Sequence, residues 1–253
     1  MTNPLLMKLE QFTEFAPADR HRLDEMASGR RKTWRSRQDI ISEGDHLDNI
    51  YLVLSGLAAR YKMLPDGGRQ IMAFLVPGDL CDVEVFILDQ MDHGIIAIAE
   101  TECVLIPKEM ITRMLTEASE VTKALWWSTM TDSAVLRERI VDHGRRDARE
   151  RIAHLLYEML VRYRMVGLTD DDVFEFPVTQ EELADATGLT PVHVNRTLKE
   201  LREEGLVEFR GKIVTIRDRA KLKTLAQFNP NYLHLQRTEG RDGEVSKRAG
   251  DLV

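Results

Sequence analysis

The chain has 253 residues, 43% hydrophobic and 30% charged, with a formal net charge of −7. That length allows two domains with their own cores. The acidic balance counts against a nucleic-acid binder as a whole. Phosphate attraction follows local charge, however, and Lys and Arg gather between Thr190 and Lys223 while acids cluster N-terminally and at Asp170-Asp171-Asp172. Cys81 and Cys103 lie outside any CxxC spacing. This counts against an iron–sulfur cluster or structural zinc and reads as reduced core thiols. No secretory signal follows Met1 and no apolar run approaches the ~18 residues of a membrane span. The expectation is a cytoplasmic chain with no membrane partner.

In chain order, residues from about Leu5 to Ser28 read as short helices, with Leu23 and Met26 inward. From Lys32 to about Pro107 short strand-like runs alternate with turn signals. The runs are Ile50 to Leu54, Ala58 to Tyr61, Gln70 to Val76 and Ile95 to Ala99. The turns are Gly44-Asp45, Ser55-Gly56, Asp66-Gly67-Gly68 and Pro77-Gly78-Asp79, so the segment reads as a compact β-roll or barrel. Lys108 to about Asp142 reads as a long helical region. Its partly apolar stripe (Val121, Leu125, Asp132, Leu136, Arg139, Ile140) fits a two-helix seam or a helix lying on the barrel. Trp126 and Trp127 point to different sides. Either one faces a partner or both are ordinary packing residues.

His143-Gly144 is read as a break and hinge. Asp147 to Val166 is a second long helix, with Ile152, Leu155, Leu156, Met159 and Leu160 inward.

The most specific stretch is TQEELADATGLTPVHVNRTLKELREEGL, residues 179–206. Thr179 and Glu182 form a capping box. Gly188 ends the first helix, Thr190 caps the second, and Pro191 occupies its first turn, where no N–H is missed. Val194, Leu198 and Leu201 repeat on an inner face, and His193, Arg196, Thr197 and Lys199 lie opposite. LVEFRGKIVTI then reads as a hairpin with Arg210 and Lys212 at its tip. This is a helix-turn-helix with a wing, a geometry that fits the DNA major groove. A plain helical hairpin with a solvated charged face is the bland alternative. From Asn229 to Val253 the chain becomes polar and reads as a disordered tail.

The order β-roll, long helix, hinge and winged helix-turn-helix resembles the Crp/Fnr superfamily of bacterial transcription regulators, over about Leu5 to Leu225. TPVHVNRTL is similar to the Fnr-like branch. The resemblance implies an α+β fold with a sensor domain at 1–117, a dimerisation helix and hinge at 118–143, and a DNA-binding domain at 144–228. It implies a homodimer on near-palindromic double-stranded DNA, commonly activating through RNA polymerase, with or without a small-molecule effector. Arg196 matches the family arginine that reads guanine, with Val192, His193 and Asn195 beside it. Asn195 fits an adenine reader or a local cap equally. Thr179, Thr190, Lys199, Arg210 and Lys212 fall at or near backbone contacts, and Val121, Leu125, Asp132, Leu136 and Ile140 on the dimer helix.

Where many members carry a base-reading glutamate this chain has Val192, which cannot accept from cytosine N4 but suits a thymine methyl. The Arg-Ser pair that holds a cyclic phosphate is replaced by His93-Gly94, which argues against a cyclic nucleotide. The N-terminal cysteines of the iron–sulfur sensors are absent. Haem on His46, His93 or a cysteine is a minor alternative. No GxSxG, P-loop, HExxH or dinucleotide fingerprint is present, so the chain does not read as an enzyme. The competing function is a ligand-sensing or protein-interaction module with a non-functional DNA-binding half.

Overall fold

The computed structural model describes residues 3–83, 87 and 90–235. Two short helices open the chain, α1 (Pro4–Leu9) and α2 (Pro17–Ala27), and Leu5, Leu9, Leu23 and Met26 are buried beneath them. Among the described residues the roll is two four-stranded antiparallel sheets. One has the order β1 (Arg30–Trp34), β8 (Thr101–Pro107), β3 (Asn49–Ser55), β6 (Leu80–Cys81). The other runs β2 (Asp39–Ile41), β7 (Gly94–Ala97), β4 (Ala58–Met63), β5 (Arg69–Leu75). Short strands with buried inner faces and glycine corners close a roll because each corner must turn within a few residues. At Gly78, φ is +92° and a Cβ would sit 2.5 Å from the Pro4 carbonyl oxygen, so only glycine lets α1 approach this corner. Asp66-Gly67-Gly68 forms the β4–β5 hairpin tip, where Leu64 N–H donates to Gly68 O at 2.7 Å.

Two helices follow the roll: α3 (Lys108–Glu117) and, after a one-residue break at Ala118, α4 (Ser119–Arg145). The expected stop at His143-Gly144 is not there. Glycine in a helix costs about 1 kcal/mol relative to alanine but does not end it. The break falls at Arg146, whose backbone is extended (φ −82°, ψ 141°). Asp147 then restarts the chain with its own capping box, accepting from Arg149 and Glu150 N–H while Glu150 accepts from Asp147 N–H. The helix it caps, α5 (Ala148–Met165), is buried nearly all round. Ile152, Leu155, Leu156, Met159 and Leu160 are inward as expected.

The C-terminal unit contains α6 (Gln180–Thr187), α7 (Pro191–Glu203), a three-stranded sheet and α8 (Arg219–Leu225). The sheet order is β10 (Val207–Arg210), β11 (Ile213–Ile216), β9 (Val173–Glu175). The wing is therefore widened by a third strand, just after the acidic cluster Asp170-Asp171-Asp172. Part of the segment expected to be a disordered tail is structured. Pro230–Leu233 forms a 3₁₀ turn packed on α4, with Asn229 capping it, Leu233 buried and Trp127 Nε1 donating to His234 O at 3.1 Å. Its aromatic Tyr232 outweighs the polar neighbours, because its hydroxyl finds Glu158 Oε2 at 2.9 Å. Residues 236–253, the rest of the expected tail, lie outside the described residues.

An ionic chain runs under the junction of the two halves. Arg60 bonds Asp132, Lys8 bonds Asp79, and Arg162 bridges Asp79 (2.7 Å) and Glu158 (3.4 Å). Arg139 then joins Glu158 (2.8 Å) to Asp142 (2.7 Å), and Arg146 joins Asp142 to Glu138. Burial alone would raise the Asp79 and Glu158 carboxyls; Lys8 and Arg162 beside the first, and Arg139 and Arg162 beside the second, hold both below the usual range.

Candidate nucleic-acid interface

Local chemistry builds the helix-turn-helix. Glu182 N–H donates to the Thr179 hydroxyl at 3.1 Å, and Thr179 N–H donates to Glu182 Oε2 at 2.7 Å. Gly188 takes φ +63°, where a Cβ would lie 2.9 Å from His143 Nδ1. It therefore supplies both the left-handed turn and the close approach of α4. Thr190 Oγ1 accepts from His193 N–H at 3.2 Å, with Pro191 in the first turn of α7.

Val194, Thr197 and Leu201 are buried, and Leu198 packs partly against the core. Thr197 was expected outside. It lies one turn from both Val194 and Leu201, so it shares their inner face. The outer face carries Val192 (81% exposed), Asn195, Arg196 (side chain 67% exposed) and Lys199. His193 is half-buried at its edge. Asn195 Nδ2 donates to Gln180 Oε1 at 3.3 Å, linking α7 to α6. Among the described residues Arg196 has only a loose partner, Glu200, at 3.9 Å, and Lys199 only Glu203 at 3.7 Å. Such exposed pairs are weak and readily exchanged for phosphate or base.

Arg210 and Lys212 are exposed at the wing, on either side of Gly211 in the left-handed region. Arg210 is paired with Glu208. Thr179 and Thr190 are exposed at the two helix N-termini. The Thr179 hydroxyl is already taken up by its own cap, which leaves the free N–H groups of the first turn of α6 as the donors there.

The dimer-helix residues divide. Val121 and Leu125 are buried against their own chain, and Asp132 accepts from Arg60 at 3.0 Å. Val121 and Leu125 are therefore not available to a partner, and Asp132 is engaged with Arg60 of the roll. Leu136 is partly exposed and Ile140 is 72% exposed. They continue along an outward stripe with Trp126 (60% exposed), Met130 and Val141. Trp127 is the inward member of the tryptophan pair and stacks on Phe12 at 5.7 Å.

In the roll, the buried Arg60 donates to Asp82 (3.1 Å), Asp132 (3.0 Å) and Leu80 O (3.2 Å). His93 places Nε2 3.0 Å from Asp82 and Nδ1 2.6 Å from Asp92. Burial works against a charge on His93, but the Asp82 hydrogen bond and charge, with Asp92, outweigh it and raise its pKa. The residues do not fit a cyclic phosphate. The buried Arg60 is already matched by two carboxylates, and a third anion there would be desolvated without a partner among the described residues. Both ring nitrogens of His93 are engaged, which does not suit an iron ligand. Cys81 and Cys103 are buried and unlinked. Among the described residues, no group of His, Cys, Asp or Glu is arranged to hold a metal.

A winged helix-turn-helix on a β-roll with a long connecting helix defines a DNA-binding regulator. Residues 150–225 match the Crp-like helix-turn-helix domain and residues 31–118 the cyclic nucleotide-binding domain. The chain belongs to the Crp/Fnr family of transcription regulators, which are not enzymes. It is 29% identical over 199 residues to the nitrogen fixation regulation protein FixK of Bradyrhizobium diazoefficiens, covering 78% of this chain and 82% of that one. It is 27% identical over 195 residues to the transcriptional activator protein FnrL of Cereibacter sphaeroides, covering 76% and 78%. The structure of FixK2 from Bradyrhizobium japonicum superposes with a TM-score of 0.69 at 27% identity, over 78% of this chain and 96% of that one. Among the described residues no helix is long and apolar enough to cross a membrane.

Proposed function

We infer that this regulator binds, as a homodimer, a near-palindromic DNA site with half-sites about one helical turn apart. In this reading α7 enters the major groove and Arg196 pairs with guanine O6 and N7. Lys199, Arg210, Lys212, Thr190 and the N-terminus of α6 at Thr179 hold the phosphate backbone and set the register. The observation that carries the reading is the outer face of α7. Arg196 and Lys199 stand exposed and weakly paired on a helix whose other face is locked into the core.

The outward stripe Trp126, Met130, Leu136, Ile140 and Val141 is the seam with the second copy, in place of the Val121–Leu125–Asp132 stripe. Such a length of exposed apolar side chains on one helix suits an isologous two-fold contact. The domain order supporting this is a roll to about Glu117, the helix α4, and the DNA-binding unit from Asp147. The similarity to FnrL, a transcriptional activator, favours activation through RNA polymerase in the cytoplasm. An effector would act through the roll, whose Arg60–Asp132 pair begins the ionic chain to the α4–α5 junction.

Selection of bound duplexes from a random DNA pool at ~100 mM salt tests the reading. A palindromic word with a guanine in each half is the expected result. Recovery of unenriched sequence would sink it and would favour the protein-interaction module instead.

A further inference from the structure

The segment after α8 crosses the break between the two halves of the chain. The matched helix-turn-helix domain ends at residue 225, and the residues beyond it run from the DNA-binding unit back onto α4. Gln227 Nε2 donates to Glu150 Oε1 at 2.9 Å, and Phe228 packs on Tyr157 at 4.7 Å, both on α5. Asn229 then caps the 3₁₀ turn, and Tyr232 donates to Glu158 Oε2 at 2.9 Å. Leu233 is fully buried and lines a small hollow with Thr131 and Val135 of α4 and Asp79 of the roll. Trp127 Nε1 closes the path by donating to His234 O. Trp127 stands roughly five turns of α4 before the break at Arg146.

Arg146, a single extended residue, marks the break between α4 and α5. Rotation about its two backbone dihedrals would swing α7 against the dimer helix. The spacing of two recognition helices therefore depends on the ties that cross this point. The Arg69–Asp185 pair is one, but its partners are partly exposed, which makes it weak. The 3₁₀ turn is anchored more firmly. It buries a leucine, and its tyrosine holds Glu158 Oε2 while Arg139 and Arg162 hold Oε1. A bond to a buried charged acceptor costs more to break than one at the surface. We propose that residues 229–235 are a strap that positions α7 across the break, anchored by Tyr232 and Leu233, and so fixes the half-site spacing that the dimer accepts. The inference rests on the reading that two copies of α7 enter successive major grooves.

The test compares wild type with Tyr232→Phe and with a chain ended after Phe228. Binding is measured on the selected palindrome, on a duplex holding one half-site, and on palindromes with one or two base pairs added between the halves. Each added pair moves a half-site by about 3.4 Å and turns it by about 35° around the duplex axis. Wild type should bind the selected spacing and discriminate sharply against the others. Both variants should remain dimers and keep the half-site affinity to within about threefold, because the strap touches none of the α7 contacts. Their gain of palindrome over half-site should fall at least about tenfold, out of the ~10²–10⁴ that linking two sites supplies. The penalty for added base pairs should shrink with it. Lost stability alone would lower every affinity by one factor and leave the spacing preference as it was. Should the shortened chain fail to fold, Asn229→Ala, which removes only the cap of the turn, takes its place beside Tyr232→Phe. An unchanged spacing preference in the variants overturns the inference and leaves the DNA reading intact. A pool that yields no palindromic word overturns both.

Discussion

Arg69 on β5 donates through Nε to the Asp185 carboxylate on α6 at 2.8 Å, and this ion pair fastens the roll to the first helix of the helix-turn-helix. Gln70 Nε2 adds a bond to Asp185 O at 2.6 Å, and Phe74 meets Phe176 edge-on at 5.1 Å just below. Thr179, Glu181 and Glu182 face the hairpin residues Met63, Gly67 and Gly68 across a cleft of about 520 Å³. The partners are each about a fifth exposed. A double-mutant cycle with Arg69→Ala and Asp185→Ala, read by urea unfolding, should therefore give a coupling of about 0.5–1 kcal/mol. A coupling of zero would mean that this ion pair contributes nothing to holding the two units together.

The centre of the ionic chain should be far more sensitive. Glu158 is fully buried between Arg139 and Arg162 and also accepts from Tyr232. Glu158→Leu leaves two buried guanidinium groups short of a partner and should cost about 3–5 kcal/mol in urea unfolding. Tyr232→Phe removes one hydrogen bond to the same carboxylate and should cost about 1.5–3 kcal/mol. An unaffected Tyr232→Phe would show that the 3₁₀ turn after Asn229 does not dock.

Two histidines give pH dependence of opposite sign. His154 is buried at the α4–α5 junction, stacked on Tyr232 with Glu138 and Asp142 each 3.5 Å away, and burial holds its pKa below the ordinary value. As pH falls below about 6.5 the unfolded chain takes up a proton that the folded chain resists. Stability is then lost by up to about 1.4 kcal/mol per pH unit until the folded pKa is reached. His143, also lowered first by burial, adds in the same direction. His93 is raised, so its contribution is complete below about 6.5 and fades as pH rises through its folded value. His154→Gln should flatten the acid limb of stability against pH, and His93→Gln the limb above 6.5. An unchanged acid limb in His154→Gln would place that proton uptake elsewhere.

The outward stripe of α4 predicts an oligomeric state. Wild type should sediment as a dimer at ~10 µM, and Ile140→Glu or Trp126→Glu should each raise the dissociation constant at least about tenfold. Leu125→Ala should act differently. It empties a site inside one chain, costing about 2–5 kcal/mol of stability. If Leu125→Ala alone dissociated the dimer, the stripe would be wrongly placed.

Local chemistry made the DNA-binding third legible. The Thr179–Glu182 box, the Gly188 turn and the Thr190-Pro191 start each act within four residues, and each is found as read. Long-range choices were not legible. The apolar positions of α4 have two faces, and nothing local says that Val121 and Leu125 go inward while Trp126 and Ile140 go outward. Gly144 reads as a stop because glycine often follows a helix. The stop is instead set by the capping box at Asp147, a signal that the local sequence also carried. Asp132 and Glu158 owe their places to arginines 72 and 19 residues away. The tail was read from its composition, while Tyr232 docks through one distant carboxylate.

The central claim is that α7 reads DNA through Arg196. Its most direct test is equilibrium binding of wild type and Arg196→Ala to the selected word and to a scrambled duplex at one fixed salt concentration. Arg196 is exposed, so the variant should keep its fold and its affinity for scrambled DNA to within about threefold. Affinity for the selected word should fall by about 5- to 150-fold, the loss of one bidentate guanine contact. Equal affinity of the two proteins for the selected word, with discrimination from scrambled DNA intact, would contradict the account.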